Sequence, residues 1–312
     1  MTRIVFAGTP AIAAHALRGI VSAGFDVVGV LTRPDAPIGR KRTLTPSPVA
    51  QAAEEAGIPT LKAAKVDQDI DEKLTSWQPT LGVIVAYGAL LPRATLDVPG
   101  QGWVNLHYSA LPKYRGAAPV QHAILNGEAT TAATIFQLET GMDTGPLHGS
   151  AEYPIAEMTS SGTALTELTG LGTQLLIRLM PDMLEGTSLP TPQTGEPSFA
   201  PKLTRQDAFI DPAQPAKELV HRINATIPEP GAWTLHGENR IKLGVARLFD
   251  GEIDSAVGEV HVVGAEGEAV LAAGDGRGVV LSQVQPAGKQ MMNTADWLRG
   301  QQDTVRLGGN HG

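Results

Sequence analysis

Apolar residues along this chain recur in two periods. Residues 4–7, 27–31, 81–86 and 103–106 form short, mostly apolar runs, the mark of buried strands. Between the first two the spacing turns helical. Ile12, Leu17, Ile20 and Val21 fall near one face of a helix that Thr9 can cap, that Pro10 can open and that Gly24 ends. Residues 49–56 read as a further helix stopped by Gly57. Residues 33–48 hold four prolines and a basic cluster, which predicts a loop. Strands alternating with helices predict an α/β domain around a mostly parallel sheet covered on both faces.

Residues 119–125 read as a helix stopped by Asn126 and Gly127. Residues 131–138 and 149–155 read as strands flanking the loop ETGMDTGP. Residues 162–184 read as a helix, with Pro181 expected to end or kink it. Over 186–201 Gly, Thr, Ser and Pro follow one another with little periodicity, which predicts a linker. Beyond it comes a helix at 216–225. Short apolar runs at 233–236, 241–248, 258–263, 269–272 and 279–284 then suggest a small OB-like β-barrel. The expected division is a domain at 1–187, a linker at 188–204 and a second domain at 205–312.

Composition narrows the function. Hydrophobic residues make up 42% and charged residues 18% of 312, enough to bury a sizeable core. The chain has no cysteine, which excludes disulfides, thiolate nucleophiles and Cys-based zinc sites. It also lacks an H-E-x-x-H motif, a G-x-S-x-G elbow and a Walker A lysine, so no metal is expected. The start MTRIVFAGTP reads as a buried strand and no apolar run is long enough to span a bilayer, so a soluble, cytoplasmic protein is expected. A net charge of −8 argues against broad, non-specific nucleic-acid binding but leaves room for a local basic patch.

Four segments carry candidate chemistry. Asn105 and His107 lie two apart at the carboxyl end of a strand, so they share a face where open α/β sheets place ligands. An amide beside an imidazole can hold a carbonyl oxygen that gains negative charge. The plainer reading makes Asn105 a strand-end cap and His107 a hydrogen-bonded core residue. Asp143, between Gly141 and Gly145, is either an ordinary turn residue or a carboxylate that orients His107 or takes a proton. Residues 6–10, FAGTP, resemble the start of a nucleotide-binding fold but lack the second and third glycines of a dinucleotide fingerprint. Arg33, Arg40, Lys41 and Arg42, with one acidic neighbour at Asp35, form either a solvated surface loop or a phosphate-binding one.

Taken in order, FAGTP at 6–10, RPDAPIGRKR at 33–42, PSPV at 46–49, VAYG at 85–88, VNLHYSALPKYRGAAPVQ at 104–121, ETGMDTG at 139–145 and QPAGKQMM at 285–292 resemble the methionyl-tRNA formyltransferases. The Asn-x-His strand followed by Asp-Thr-Gly is shared by formyltetrahydrofolate-using transferases in general. The basic loop, the AAPVQ helix and the QPAGK segment point to the tRNA-acting branch. The resemblance implies a doubly wound N-terminal domain and an OB-like tRNA-binding C-terminal domain. It implies catalysis by Asn105, His107 and Asp143, and a site for 10-formyltetrahydrofolate lined by Ser109, Ala110, Leu111 and Pro112, with Tyr87 and Gly88 nearby. It implies contacts of Arg33, Arg40, Lys41 and Arg42 with methionyl-initiator tRNA, and a monomer is expected. Tyr108 and Ala110 depart from the family, which usually has Gly and Leu there. The nearest rival is a formyltransferase for a small amine, which would share the three catalytic residues without needing the basic loop. A non-catalytic RNA-binding protein on the same fold would not need the Asn/His/Asp set.

Overall fold

The computed structural model describes residues 2–39, 41–264 and 267–309. They pack as two compact units. The first comprises Met1–Gly116, Thr131–Tyr153 and Leu165–Phe199; the second comprises Ala117–Thr130, Pro154–Ala164 and Ala200–Gly312. Among the described residues no helix is long and apolar enough to cross a membrane.

The first unit holds strands β1 (Arg3–Gly8), β2 (Asp26–Thr32), β3 (Ala36–Ile38), β4 (Thr43–Thr45), β5 (Thr60–Lys62), β6 (Leu81–Val85), β7 (Trp103–His107), β8 (Thr130–Gln137) and β9 (Leu147–Pro154). Seven of them form one sheet in the order β5-β2-β1-β6-β7-β8-β9. β5, β2, β1, β6 and β7 run parallel, and β8 is antiparallel to β7. The strand order reverses between β1 and β6, which places a crevice at their carboxyl ends, where open α/β sheets bind ligands.

Alternation along the strands divides the core. Val5, Ala7, Leu31, Ile84 and Trp103 pack with Leu74 and Trp77 at the helix Gln68–Ser76. That helix has one buried residue, so its apolar signal in the sequence is faint. On the opposite face the helix Ser161–Glu185 lies close against β7 and β8. A Cβ on its Gly172 would sit 2.5 Å from the Leu106 side chain and 3.0 Å from Ala133, so glycine lets the helix approach both strands closely. The helix runs on through Pro181 instead of stopping there. Met180, Met183 and Leu184 are buried, and their packing offsets the backbone bond that proline forfeits.

Two local expectations change. Residues 36–45 form a two-stranded hairpin, with Ala36 opposite Thr45, Pro37 opposite Leu44 and Ile38 opposite Thr43. Pro37 is tolerated because an isolated ribbon has an outer edge that needs no N–H. Thr9 does not cap the first helix, Ala11–Ser22, whose preceding residue Pro10 makes no capping bond. Its hydroxyl instead donates to the Tyr87 carbonyl at 2.8 Å and ties the end of β1 to the turn after β6.

The second unit holds two antiparallel sheets, one of four strands and one of five. Two apolar runs that read as single strands are each broken where the chain passes between sheets. Residues 241–248 divide into Asn239–Leu243 and Ala246–Leu248, and residues 279–284 into Gly278–Leu281 and Gln283–Pro286. The sheets enclose a core of Ile210, Leu219, Ile223, Ile241, Leu271 and Leu281. The helix Pro119–Leu125 also belongs here and packs on the helix Ala216–Thr226, with Gly127 against the His221 ring.

Candidate active site

β7 delivers two polar side chains to the end of the sheet. Its alternation buries Trp103 and carries Asn105 and His107 to the same side, where Asn105 lies opposite Ile84 and Phe136 and His107 opposite Thr134. Among the described residues the half-buried Asn105 carboxamide has no hydrogen-bond partner. His107 is buried, with the Phe136 ring edge-on 6.2 Å away. Its Nε2 lies 3.1 Å from the Tyr114 carbonyl. A carbonyl only accepts, so Nε2 carries the proton. Burial pushes the His107 pKa down, against the raising effects of the Asp143 charge and the Tyr114 bond, and favours the neutral ring. Nδ1 is then bare, and it faces Asp143 Oδ2 at 3.8 Å.

Asp143 sits in the left-handed region, with φ +50°. Its Oδ2 accepts from the Gly116 amide at 2.7 Å. The loop closes tightly behind it. A Cβ at Gly145 would stand 1.8 Å from the Gln137 carbonyl, so no larger residue fits. His107 and Asp143 thus stand 3.8 Å apart, and Asn105 lies two residues before His107 on the same face of β7.

The turn after β7 is internally bonded. Ser109 is fully buried; its hydroxyl donates to the Lys113 carbonyl at 2.6 Å, and its carbonyl accepts from Thr134 Oγ1 at 2.6 Å. Leu111 and Pro112 are buried and joined by a cis peptide, while Ala110 is exposed. At the neighbouring strand end the Tyr87 ring packs in the core with its hydroxyl donating to the Ala63 carbonyl at 3.2 Å. Gly88, with φ +84°, borders open space. Leu90 is 88% and Met142 57% exposed. Of the basic residues, Arg33 donates to the Ala64 carbonyl, and Lys41 and Arg42 are exposed at the turn of the β3–β4 hairpin. Arg40 lies outside the described residues.

The family model for formyl transferase matches residues 2–180, and that for the formyl transferase C-terminal domain matches residues 202–302. The methionyl-tRNA formyltransferase of Renibacterium salmoninarum is 47% identical over 298 residues, covering 96% of each chain. That of Paenarthrobacter aurescens is 48% identical over the same share. The chain belongs to the methionyl-tRNA formyltransferase family. Solved structures share its fold at lower identity. The methionyl-tRNA formyltransferase of Clostridium thermocellum matches with TM-score 0.54 and 17% identity over 82% of this chain and 97% of that one. HypX of Aquifex aeolicus in complex with tetrahydrofolic acid matches with TM-score 0.65 and 17% identity over 97% of this chain, which spans half of that one.

At Tyr108, where the resemblance leads to an expectation of glycine in this formyltransferase, the structure shows how the ring is absorbed. Tyr108 is buried, its backbone stays out of the left-handed region, and its hydroxyl lies 3.2 Å from Thr169 Oγ1 in the helix Ser161–Glu185. Burial pushes its phenol up to about 12. The ring therefore points neither to solvent nor into the site but into the layer behind the sheet.

Tyr114, Arg115 and Gly116 lie within the motif that carries the resemblance, but nothing in the sequence assigns them a contact. Gln193 and Ser198 lie in the stretch whose composition reads as a linker. Ser198 accepts from the Tyr114 amide at 2.9 Å, and its carbonyl accepts from the Arg115 amide at 2.8 Å. No periodicity marks either residue.

Proposed function

We propose that this chain transfers the formyl group of 10-formyltetrahydrofolate to the α-amino group of methionyl-initiator tRNA in the cytoplasm, with Asn105, His107 and Asp143 as the catalytic groups. The observation that carries the acceptor is the similarity of 47–48% over 96% of the chain to two methionyl-tRNA formyltransferases. The site's own chemistry supports the donor. The Asn105 carboxamide, without a hydrogen-bond partner among the described residues, the open backbone at Gly88 and the exposed apolar Leu90 and Met142 suit a flat, partly apolar ligand with a polar reacting end. Exposed Ala110 lines its edge, with Ser109, Leu111, Pro112 and the Tyr87 ring shaping the wall from behind.

The bound folate supplies the formyl carbon that the methionyl amine attacks. Asn105 Nδ2 donates to the formyl oxygen as it gains negative charge. His107 Nδ1, bare in the neutral ring, accepts a proton from the attacking nitrogen and returns it to the departing one. Asp143 stabilises the imidazolium between those two events. Its carboxylate is held by the Gly116 amide and cannot swing away. The hairpin turn with Lys41 and Arg42 follows β2, whose carboxyl end lies on the same sheet edge as that of β7, and these two residues, with their sequence neighbour Arg40, are assigned to tRNA phosphates. Arg33, engaged with the Ala64 carbonyl, anchors the base of the hairpin. In the second unit Arg205 and Arg240 lie 5.7 and 4.3 Å from the Trp233 ring and offer further cations to the same partner.

The deciding experiment is a formylation assay with charged initiator tRNA and 10-formyltetrahydrofolate. Formyl-methionyl-tRNA is expected with the wild-type chain, and a loss of about 10²–10³ in turnover with Asn105→Ala. A folded protein that formylates a small amine but not the charged tRNA would overturn the acceptor.

A further inference from the structure

His107 and Asp143 are both tied to one short stretch of backbone. His107 Nε2 donates to the Tyr114 carbonyl, and Asp143 Oδ2 accepts from the Gly116 amide. The gap between the two side chains is therefore set by where residues 114–116 stand relative to the Asp143 loop. Asp143 is a non-glycine residue at φ +50°, in the left-handed region that its surroundings must hold.

One side chain joins the two segments. Gln193 Nε2 donates to the Asp143 carbonyl at 2.8 Å and to the Gly145 carbonyl at 2.9 Å. Gln193 Oε1 accepts from Arg115 Nη2 at 2.6 Å. The amide can be oriented only one way, because both carbonyls need a donor and the guanidinium needs an acceptor. A closed circuit results. It runs from the Arg115 side chain through Gln193 to the Asp143 backbone, and from the Asp143 carboxylate through the Gly116 amide back to Arg115.

From this circuit we infer that Gln193 is a positioning residue for formyl transfer, holding the Asp143 carboxylate against Nδ1 of His107 with Arg115 as its brace. It touches neither donor nor acceptor and works through Asp143. The inference rests on the assignment of Asp143 to catalysis. Its side chain is the one that can serve: glutamate would keep the Arg115 contact but has no N–H for the two carbonyls, and alanine would lose all three bonds. A misplacement of about 1 Å at a reacting group can lower the rate roughly 100-fold.

The test compares Gln193→Ala, Gln193→Glu, Asp143→Ala and the double variant Gln193→Ala/Asp143→Ala, using steady-state formylation of charged tRNA and thermal melts. Both single Gln193 variants are expected to lose about 10- to 100-fold in kcat, with KM for folate and tRNA changed less than threefold. In the Asp143→Ala background the Gln193→Ala change should cost less than threefold more, because residues acting as one unit are not additive. Near-normal kcat in Gln193→Glu, or a loss that multiplies fully with that of Asp143→Ala, overturns the inference. Near-normal turnover in Asp143→Ala overturns the underlying site assignment instead. If Gln193→Ala melts too low to assay, Gln193→Glu, which keeps the Arg115 contact, decides the matter by the same kcat-against-KM split.

Discussion

Nδ1 of His107 stands 3.8 Å from Oδ2 of Asp143, and no hydrogen bond joins them. Each is held from behind instead, the imidazole by the Tyr114 carbonyl and the carboxylate by the Gly116 amide. The gap leaves the bare nitrogen free to take a proton from a third group, and the carboxylate is close enough to stabilise the charge that follows. Catalytic contacts that are long without ligand commonly tighten when substrate binds.

Titration of His107 follows from its burial. Its pKa is depressed, so between the folded and unfolded values the unfolded chain binds a proton that the folded protein does not. The stability this group contributes is complete above about 6.5, the unfolded value, and is lost as pH falls from there toward the folded value. Thermal melts from about pH 8 to about pH 5 should show Tm falling on the acid side, and His107→Gln should flatten that fall. An unchanged slope in the variant would exclude a buried, neutral His107.

The acid limb of kcat/KM should report the same group. Below its folded pKa, Nδ1 is occupied and cannot accept. The Asp143 charge raises that pKa, so Asp143→Asn should move the limb to lower pH as well as lower the rate. A pH–rate profile of the two proteins side by side measures it, and a limb that moves upward or stays put counts against the assignment.

Tyr108 belongs to the core, and its loss should show in stability before activity. Tyr108→Phe removes one buried hydroxyl contact and should cost about 1 kcal/mol. Tyr108→Gly empties the ring's place and should cost about 3–5 kcal/mol. Folate KM in Tyr108→Phe should change less than tenfold. Urea titrations and steady-state kinetics separate the two effects, and a large KM change without a stability loss would place the ring in the folate site.

The hairpin tip should govern salt dependence. Each phosphate contact removed lowers the slope of log affinity against log salt by about 0.7–0.9. Replacing Lys41 and Arg42 with Ala should therefore flatten the slope for charged tRNA by about one to two and leave folate binding intact. A full slope and normal turnover in the double variant would make the tip a solvated surface.

A fragment ending at residue 187 should fold poorly. It keeps the helix Pro119–Leu125, with its buried Val120 and Ile124, but lacks the helix Ala216–Thr226 against which that helix packs. Circular dichroism melts of the fragment should show a broad transition below that of the whole chain. A sharp melt at the parent temperature would mean that the buried helix surface is dispensable.

Much of this protein can be read from local pattern. The short apolar runs yield four of the five parallel strands, and the two-residue spacing of Asn105 and His107 puts both on one face whatever surrounds them. Family motifs at 104–121 and 139–145 bring in Asp143. What pattern could not reach is decided by contacts distant in sequence. Tyr108 turns inward because Thr169 waits 61 positions away, and Gln193 finds Asp143 across 50. A stretch such as 191–199 satisfies its backbone through other loops and not through its own period, so from its Pro, Gly and Thr it reads as a tether. Which nitrogen of His107 carries the proton depends likewise on a single carbonyl at Tyr114. Periodicity records which residues avoid water. Which polar groups pair depends on where the folded chain brings them within about 3 Å of each other, and only the tertiary structure sets that.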